Sequence, residues 1–339
     1  MKTGKPEPFT LLGTTSSINK DATGPVALSP TRSWVADSGR IGGEYVVRIT
    51  DYSTGNTVRR IGGLAEPPTV LAFSPNGQDL LICTRSGDFV SSQRWTNCFW
   101  TWHATFLNAA AWLDNYTVIL ACYWSSDGIP RVVVKNFYQP SESATRAFPL
   151  QWTAYGGYVR AASCTPSGLI VAADRESDRI RLYQLGSNRM SATEVARFSP
   201  GGTGPWIPCA VDDAGGYVLL AQQTRDECRL YSRSGIFCGT LPGPAQSAAL
   251  RHGSLAVLKD VRWRGYELHL YRITDDNARP WCVLNGETNA RSCDVQLLNG
   301  ETIVAVEEED RTRVFKVVDS DLLRLWDDEP TTLPLCSRQ

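Results

Sequence analysis

The chain has 339 residues, 34 basic and 35 acidic side chains, a formal net charge of −1 and 42% hydrophobic residues. This charge balance gives no electrostatic signature of general nucleic-acid binding, and the apolar content excludes intrinsic disorder for most of the chain. No segment approaches the roughly 20 consecutive apolar residues of a membrane helix, and no apolar run follows Lys2 and Lys5 as in a secretory signal. We therefore expect a cytoplasmic or nuclear protein, without a membrane partner, whose ten cysteines are reduced.

A tight turn between two apolar runs occurs seven times along the chain. These turns lie at residues 29–30, 74–77, 113–115, 165–168, 212–215, 251–253 and 298–300. Their spacing averages about 45 residues, which is the period of a four-stranded propeller blade. The repeat predicts an all-β fold, a seven-bladed β-propeller of four-stranded antiparallel blades. The predicted blades span approximately residues 25–64, 65–107, 108–152, 153–202, 203–244, 245–287 and 288–328, between an N-terminal segment at 1–24 and a C-terminal tail at 329–339.

Each repeat is predicted to contain four strands. The first strands lie at 26–28, 70–73, 109–112, 160–164, 207–211, 247–250 and 292–295, and the second strands at 34–36, 80–83, 118–122, 169–173, 218–221, 255–258 and 303–306. The second strands are continuous apolar runs, as expected where neighbouring blades cover both faces of a sheet. Third strands such as 179–183 alternate between polar and apolar residues. Fourth strands such as 194–198 are more polar, which is typical of an edge exposed to water.

Two segments compete for the fourth strand of the last blade. Residues 322–326 follow the third strand of that blade directly in the sequence. Residues 9–12 of the N-terminal segment could supply this strand instead and join the two ends of the ring. The sequence leaves both arrangements open.

Three parts of the chain resemble the repeats of a known propeller family. Residues 74–82 resemble the first hairpin of a WD-repeat blade, residues 178–183 the start of its third strand, and residues 229–235 with 239–241 its second hairpin. The family's Gly-His dipeptide is missing from every repeat, and its Trp-Asp dipeptide occurs only at Trp326-Asp327. Over about residues 25–328 the chain is therefore similar to a divergent WD-repeat propeller, and the resemblance implies a ring of four-stranded blades.

Candidate catalytic groups are few. His103, His252 and His269 fall at different radii and ends of the predicted ring, so they do not predict a shared metal site. The acidic run at 307–310 follows the second strand of the last blade, where its carboxylates could bind Ca²⁺ or act as acid and base. A solvated turn is the alternative for this run. The sequence predicts no catalytic residue, metal or cofactor, although Cys228 and Cys238 could face each other across one hairpin.

Aromatic and arginine side chains are concentrated in the loops after the second and fourth strands, which share one face of a propeller. The predicted partner-binding residues are Tyr123, Trp124, Trp152, Tyr155, Arg175, Trp206, Arg225, Arg262, Trp263 and Arg264. These residue types are the most enriched in binding hot spots. The arginines favour a protein or peptide partner with an acidic or phosphorylated segment or a C-terminal carboxylate, and a cage for methylated lysine is also open. Alternatively, the aromatic rings fill gaps between blades.

A second aromatic cluster falls on the outer hairpin of the second blade. Its predicted rim-contact residues are Trp95, Phe99, Trp100 and Trp102. Because alternate residues of a strand point to opposite faces, Trp100 and Trp102 share one face while Phe99 takes the other. One face would pack on the next blade. The other face would form a lateral contact site or lie beneath the N-terminal segment.

These features favour a non-catalytic interaction scaffold or a subunit of a multiprotein complex. A stiff ring would hold its loops in fixed positions, so that binding costs little ordering entropy. Three alternatives stay open. The chain could be a propeller enzyme with a central pocket, acting as a metal-assisted or acid–base lyase or hydrolase. It could bind single-stranded RNA by stacking bases on tryptophan and arginine. It could also be a substrate receptor of a ubiquitin ligase, although the WDxR motif of many such receptors is absent.

Overall fold

The structure is a computed structural model that describes part of the chain. The described residues are 8–16, 24–84, 89–93, 96–100, 106–123, 130–136, 145–149, 159–174, 179–202, 205–222, 227–243, 245–260, 265–274 and 277–318. Within these residues every regular element is a β-strand, and the strands form seven four-stranded antiparallel sheets.

We number the sheets by the chain order of their innermost strands and give the strands of each sheet from the channel outwards. Sheet 1 contains β2 (Ala27–Leu28), β3 (Trp34–Ile41), β4 (Glu44–Asp51) and β5 (Asn56–Leu64), and sheet 2 contains β6 (Pro68–Phe73), β7 (Leu80–Thr84), β8 (Phe89–Gln93) and β9 (Thr96–Trp100). Sheet 3 contains β10 (Phe106–Trp112), β11 (Thr117–Tyr123), β12 (Pro130–Asn136) and β13 (Thr145–Pro149), and sheet 4 contains β14 (Val159–Cys164), β15 (Leu169–Asp174), β16 (Ile180–Leu185) and β17 (Ala192–Phe198). Sheet 5 contains β18 (Trp206–Val211), β19 (Tyr217–Gln222), β20 (Glu227–Ser232) and β21 (Phe237–Pro242), and sheet 6 contains β22 (Ser247–Arg251), β23 (Ser254–Asp260), β24 (Tyr266–Thr274) and β25 (Asn277–Gly286). Sheet 7 contains β26 (Ala290–Leu298), β27 (Glu301–Glu308), β28 (Arg311–Val317) and β1 (Phe9–Ser16).

The sheets are arranged as blades around a ring. The innermost strand of each sheet contacts the innermost strands of its two neighbours, and the contact between β26 and β2 closes the series. The predicted all-β propeller fold of four-stranded antiparallel blades is therefore confirmed. Every predicted first and second strand overlaps an observed strand, and β26 and β27 extend several residues beyond the predicted bounds.

The core of the ring lies between the sheets. Residues 169–173 of β15 and 303–306 of β27 are buried at every position, because a neighbouring sheet covers each face of these strands. In contrast, the outer strand β17 alternates between exposed and half-buried residues, as expected at a blade edge that meets water. The strands that the sequence predicts to be more polar thus lie farther from the channel.

The N-terminal strand occupies the outer edge of sheet 7. β1 pairs antiparallel with β28, so that Phe9 lies opposite Val317 and Ser16 lies opposite Arg311. Gly13, beside a bulge in this pairing, lies so close to the backbone carbonyl of Tyr52 in sheet 1 that a Cβ atom would collide with it. Of the two arrangements that the sequence leaves open, the structure shows the N-terminal one, and residues 322–326 lie outside the described residues.

Candidate functional site

The first strands of the sheets surround a central channel that contains a cavity of about 660 Å³. Much of the wall is apolar, with small side chains such as Ala72, Ala110 and Ala210. Charged lining residues come from sheets 5, 6 and 7 and include Asp213, Arg251 and Asp294. The chemistry of the channel therefore depends on what these three side chains bind.

The tight turns after the first strands are hydrogen-bonded to one another around the channel. The Thr31 hydroxyl donates to the backbone carbonyl of Asn76 at 3.0 Å, and the Asn76 N–H donates to Oδ1 of Asn115 at 2.9 Å. Arg189, in the turn between β16 and β17, donates from Nη1 to Oδ2 of Asp114 at 2.8 Å. These bonds connect sheets 1, 2, 3 and 4 in order.

One backbone bond and several bonds from charged side chains continue this series from sheet 4 back to sheet 1. The Ser167 N–H donates to the backbone carbonyl of Asp213 at 3.3 Å. Arg251 bridges two carboxylates, with Nη1 bound to Oδ2 of Asp213 and Nε bound to Oδ1 of Asp294, both at 3.2 Å. The other oxygen of Asp294 accepts the N–H of Leu28 at 2.8 Å. We call the complete series the turn collar; its residues are Leu28, Thr31, Asn76, Asp114, Asn115, Ser167, Arg189, Asp213, Arg251 and Asp294.

Two glycines allow the turns of the collar to approach one another. Gly77 and Gly215 have φ angles of 67° and 72°, in the left-handed region that only glycine adopts without strain. A Cβ atom on Gly215 would lie 2.5 Å from the Ser167 hydroxyl oxygen, and one on Gly77 would collide with the Thr31 hydroxyl. Gly77 and Gly215 are thus required for the packing of turn against turn.

A buried polar network joins sheet 7 to sheet 1 farther from the channel. Asp37 on β3 accepts hydrogen bonds from Arg48 Nη2 at 2.6 Å and from the Thr312 hydroxyl at 3.1 Å. The Thr15 hydroxyl of β1 donates to the same carboxylate at 3.4 Å. Burial raises the pKa of Asp37, and the adjacent Arg48 acts in the opposite direction. β1, which closes the ring, is therefore held by a side-chain hydrogen bond to sheet 1 as well as by its backbone pairing with β28.

Glu307 lies near this network on β27. Its carboxyl group accepts a hydrogen bond from the Ser292 hydroxyl at 2.9 Å. Burial is the main cause that raises the pKa of Glu307 to about 8, and the negative charge of Asp37 adds to the effect. Half or more of the Glu307 side chains are therefore protonated at neutral pH.

Glu308 takes part in a different network, between sheets 6 and 7. Its fully buried carboxylate accepts hydrogen bonds from the Tyr266 hydroxyl at 2.9 Å, from Arg311 Nε at 2.8 Å and from Arg313 Nε at 2.7 Å. Burial acts to raise the pKa of Glu308, but the hydrogen bonds from Arg311, Tyr266 and Arg313 outweigh it and hold the pKa below its ordinary value. This carboxylate is therefore charged and bound on both oxygens.

The acidic run at 307–310 is thus not the open cluster of carboxylates that the sequence suggested as a metal or acid–base site. β27 extends to Glu308, and its first two acidic residues point to opposite faces of sheet 7. Only Glu309 and Asp310 lie in the turn. In the described part of the chain, no group of three or more His, Cys, Asp or Glu side chains could hold a metal ion.

The histidines and cysteines of the described residues are separated. His252 lines the channel, and His269 on β24 forms a hydrogen bond with Glu267 at 2.8 Å; His103 lies outside the described residues. The suggested pairing of Cys228 with Cys238 is wrong, because Leu241 lies opposite Cys228 and a bulge displaces Cys238 from that register. The cysteines whose side chains are described are free thiols.

The structure shows few of the predicted partner-binding residues. Tyr123 is the last residue of β11, and Phe99 and Trp100 lie on the outer strand β9. The following predicted residues lie outside the described residues: Trp95, Trp102, Trp124, Trp152, Tyr155, Arg175, Arg225, Arg262, Trp263 and Arg264. The assignment of Trp95 and Trp102 to the rim contact, and of the others to binding loops, stays a prediction.

The prediction that Trp206 lies in a partner-binding loop is wrong. Trp206 is the first residue of β18 and is only 2% exposed. Its ring packs among buried residues of sheets 4 and 5, its Nε1 donates to the carbonyl of Gly201 at 2.9 Å, and the Arg229 guanidinium lies 4.7 Å from the ring centroid. Trp206 therefore fills a gap between blades, which is the alternative that the sequence left open.

Sequence reasoning missed the charged residues that join the sheets. Asp294 interrupts the predicted apolar strand at 292–295, and Asp37 directly follows the predicted strand at 34–36. A carboxylate inside a strand that is buried on both faces needs a partner. This was the available signal, although the sequence does not identify Arg251 or Arg48 as that partner.

No protein-family model matches this chain, and a search of curated proteins gives no significant match. Among the described residues there is no helix with the length and hydropathy needed to cross a membrane.

Proposed function

We propose that this chain is a non-catalytic interaction scaffold, a seven-bladed WD-repeat-like ring that acts as a subunit of a protein complex. The observation that supports this proposal is the use of charged side chains to join neighbouring sheets. Arg251 and Asp294 of the turn collar bind each other and the backbone of sheet 1, and Glu308 is bound on both oxygens by its neighbours. These groups join blades to one another.

A ring stiffened in this way is suited to hold partners. The turn collar links all seven sheets at one end of the channel. In antiparallel sheets, the loops after the second and fourth strands lie at the opposite end. Those loops contain the predicted aromatic and arginine residues, among them Trp124, Trp152, Trp263 and Arg262. Because the blades beneath them are fixed, binding there would require little further ordering of the ring.

The partner favoured by these loops is a protein or peptide segment with acidic or phosphorylated groups. Arginine binds carboxylate and phosphate with two parallel hydrogen bonds, and tryptophan supplies apolar contact area with few rotatable bonds. We propose Trp263, flanked by Arg262 and Arg264, as the centre of this contact.

The test is to purify complexes formed by the tagged chain in its native cells. We expect a stoichiometric protein partner with the wild type and with the control Leu297→Ala, whose exposed side chain lies on the turn-collar end of sheet 7. The double variant Trp152→Ala/Trp263→Ala should lose the partner while keeping the wild-type circular dichroism and melting temperature. Absence of a stoichiometric partner from the wild type, or its retention by the folded double variant, would refute the proposed loop contact.

A further inference from the structure

The outer halves of sheets 4 and 5 are strongly basic. Residues 179–202 and 227–243, which contain β16, β17, β20 and β21, include six arginines, two glutamates and no lysine or aspartate. The whole chain, in contrast, has a net charge of −1. This imbalance is local to two adjacent sheets.

Nearby carboxylates neutralise only some of these arginines, and Arg181 is buried. Arg189 is paired with Asp114 of sheet 3 at 2.8 Å. Glu194 is shared by Arg181 and Arg197, at 3.5 and 2.8 Å, and Glu227 is bound by Arg229 at 2.5 Å. Arg233, in the turn between β20 and β21, donates to the neutral Oε1 of Gln184 at 2.7 Å. In the described part of the chain, no carboxylate pairs with Arg233.

Large apolar side chains are exposed on the same surface. Ile236 and Phe237, beside Arg233, are 61% and 53% exposed, and Met190 and Val195 of sheet 4 are also exposed. Isolated exposed apolar residues are common, but several beside uncompensated charge on neighbouring elements are typical of interaction surfaces.

Aromatic contacts make the surface continuous between the two sheets. Phe198, the last residue of β17, stacks on Tyr231 of β20 with ring centroids 4.5 Å apart, and Tyr231 meets Phe237 edge to face at 5.6 Å. Gly235 lies against Phe198, where a Cβ atom would be 2.8 Å from the ring. We call this area the basic outer surface; its residues are Arg189, Met190, Val195, Arg197, Phe198, Arg233, Ile236 and Phe237.

One segment of the chain has the opposite charge and similar apolar content. Residues 319–329 read DSDLLRLWDDE, with five carboxylates, one arginine and four large apolar side chains. The carboxylates can form paired hydrogen bonds with exposed guanidinium groups. Leu322, Leu323, Leu325 and Trp326 can cover Ile236 and Phe237.

The position of this segment favours a second copy of the chain as its acceptor. The described chain leaves sheet 7 at Val318, whose N–H is bound to the carbonyl of Pro8 at 3.0 Å. Leu322 and Trp326 lie four and eight residues farther on, within about 14 and 28 Å of extended chain. To reach the basic outer surface of its own ring, the segment would have to cross the outer edge of sheet 6 before it met sheets 5 and 4. Sheets stack about 10 Å apart and diverge away from the channel, so sheet 5 lies more than about 20 Å from sheet 7 and sheet 4 more than about 30 Å. The reach of Leu322 and Trp326 is therefore used up before these side chains can lie along both sheets.

We propose that residues 319–329 dock on the basic outer surface of a second copy, so that two rings exchange segments and form a symmetric dimer. Exchange of the same segment in both directions forms a closed assembly with one kind of interface. The interaction is independent of the loops assigned to partners above.

The test uses the purified full-length chain in sedimentation velocity over a concentration series. We expect a dimer whose dissociation constant rises at least tenfold in Arg197→Glu/Arg233→Glu and in Leu323→Ala/Trp326→Ala. The matched control Arg60→Glu/Arg279→Glu reverses the charge of two exposed arginines on the outer strands of sheets 1 and 6. This control should dimerise like the wild type. Combining Arg197→Glu/Arg233→Glu with Asp327→Arg/Asp328→Arg should restore the dimer, which loss of folding cannot explain.

A second measurement keeps the proposal testable if a variant does not fold. A synthetic peptide of residues 319–330 should convert the wild-type dimer to monomer, and a peptide with its five acidic residues changed to asparagine or glutamine should not. A wild-type chain that stays monomeric at about 200 μM and does not bind the peptide overturns the proposal. A dimer that persists unchanged in both double variants also overturns it. Neither result affects the scaffold function, which is tested with a different partner and a different surface.

Discussion

The carboxylate of Asp294 accepts the backbone N–H of Leu28 at 2.8 Å, joining the last sheet of the ring to the first. The same carboxylate holds Arg251 of sheet 6. β2, which contains Leu28, has only two residues, so it contributes little ladder to this junction. Near the channel the ring is therefore closed by a side chain, whereas farther out it is closed by β1.

Removal of this carboxylate should destabilise the whole ring. Asp294→Ala leaves the Leu28 N–H unbound and Arg251 with one carboxylate instead of two, so we expect the free energy of unfolding to fall by about 3 kcal/mol. Denaturant unfolding measures this change. The control is Asp310→Asn, which affects an exposed pair with Arg311 at 3.6 Å and should change stability by less than about 1 kcal/mol. A loss no larger in Asp294→Ala than in the control would show that Asp294 does not close the ring.

Glu307 should make the protein less stable as the pH rises through the neutral range. Its pKa of about 8 in the folded chain lies above the value of 4.5 expected when it is unfolded, so the folded state keeps a proton that the unfolded state releases. The resulting stability is complete below pH 4.5 and is lost as the pH rises towards 8, by at most about 1.4 kcal/mol per pH unit. The groups facing it are Asp37, which raises its pKa, and Arg291, which lowers it.

Glu307→Gln should abolish this dependence, because glutamine keeps the hydrogen bond to Ser292 without the ionisable proton. We expect the melting temperature of the variant to exceed that of the wild type at pH 8 but not at pH 4.5. Thermal unfolding between pH 4.5 and 9 gives the comparison. Parallel pH curves for the two proteins would mean that Glu307 does not titrate in this range.

Glu308→Gln should lower the stability of the protein near neutral pH, whereas Glu307→Gln should raise it. The pKa of Glu308 is lowered in the folded chain, so its contribution is present above the ordinary carboxyl range and is lost as the pH falls through the folded value. At pH 7 the substitution removes the charge that binds Arg311 and Arg313, and we expect a loss of about 1–3 kcal/mol. The comparison of Glu307→Gln with Glu308→Gln by denaturant unfolding at pH 7.5 is decisive, since stabilisation by both, or destabilisation by both, contradicts the assigned networks.

Trp206→Ala should cost about 3–5 kcal/mol of stability, because the substitution leaves a large cavity between sheets 4 and 5. Tyr116→Ala is the aromatic control, since Tyr116 is 47% exposed and lies outside the basic outer surface, and it should cost less than about 1 kcal/mol. Both are measured by denaturant unfolding of the same protein preparation. Equal losses would mean that Trp206 is not a core residue.

The sequence predicts the strands well because each strand depends on local information. Apolar runs bounded by Gly-containing turns locate β7, β15 and β27, and burial on both faces explains their lack of alternation. The contacts that join sheets, in contrast, connect residues that are far apart in the sequence. Arg251, for example, contacts Asp213 and Asp294 in two other repeats. No spacing rule connects these positions, so the turn collar appears only in the structure.

Trp206 shows a second limit of the sequence pattern. A tryptophan beside a predicted loop is consistent both with a binding residue and with a residue that fills the gap between diverging blades. The register of β18 decides between them, and it begins one residue earlier than the predicted strand at 207–211. A shift of one residue moves a side chain from a loop to the core.

The position of β1 has a consequence for how the protein is made. Of the described strands, β1 leaves the ribosome first and its pairing partner β28 leaves it last. Until β28 is made, the nascent chain carries β1 without its pairing partner, and sheet 7 cannot be completed. Sheet 7 is therefore completed only after every other described strand has been made, and a chain interrupted before residue 311 has no ladder on which β1 can fold.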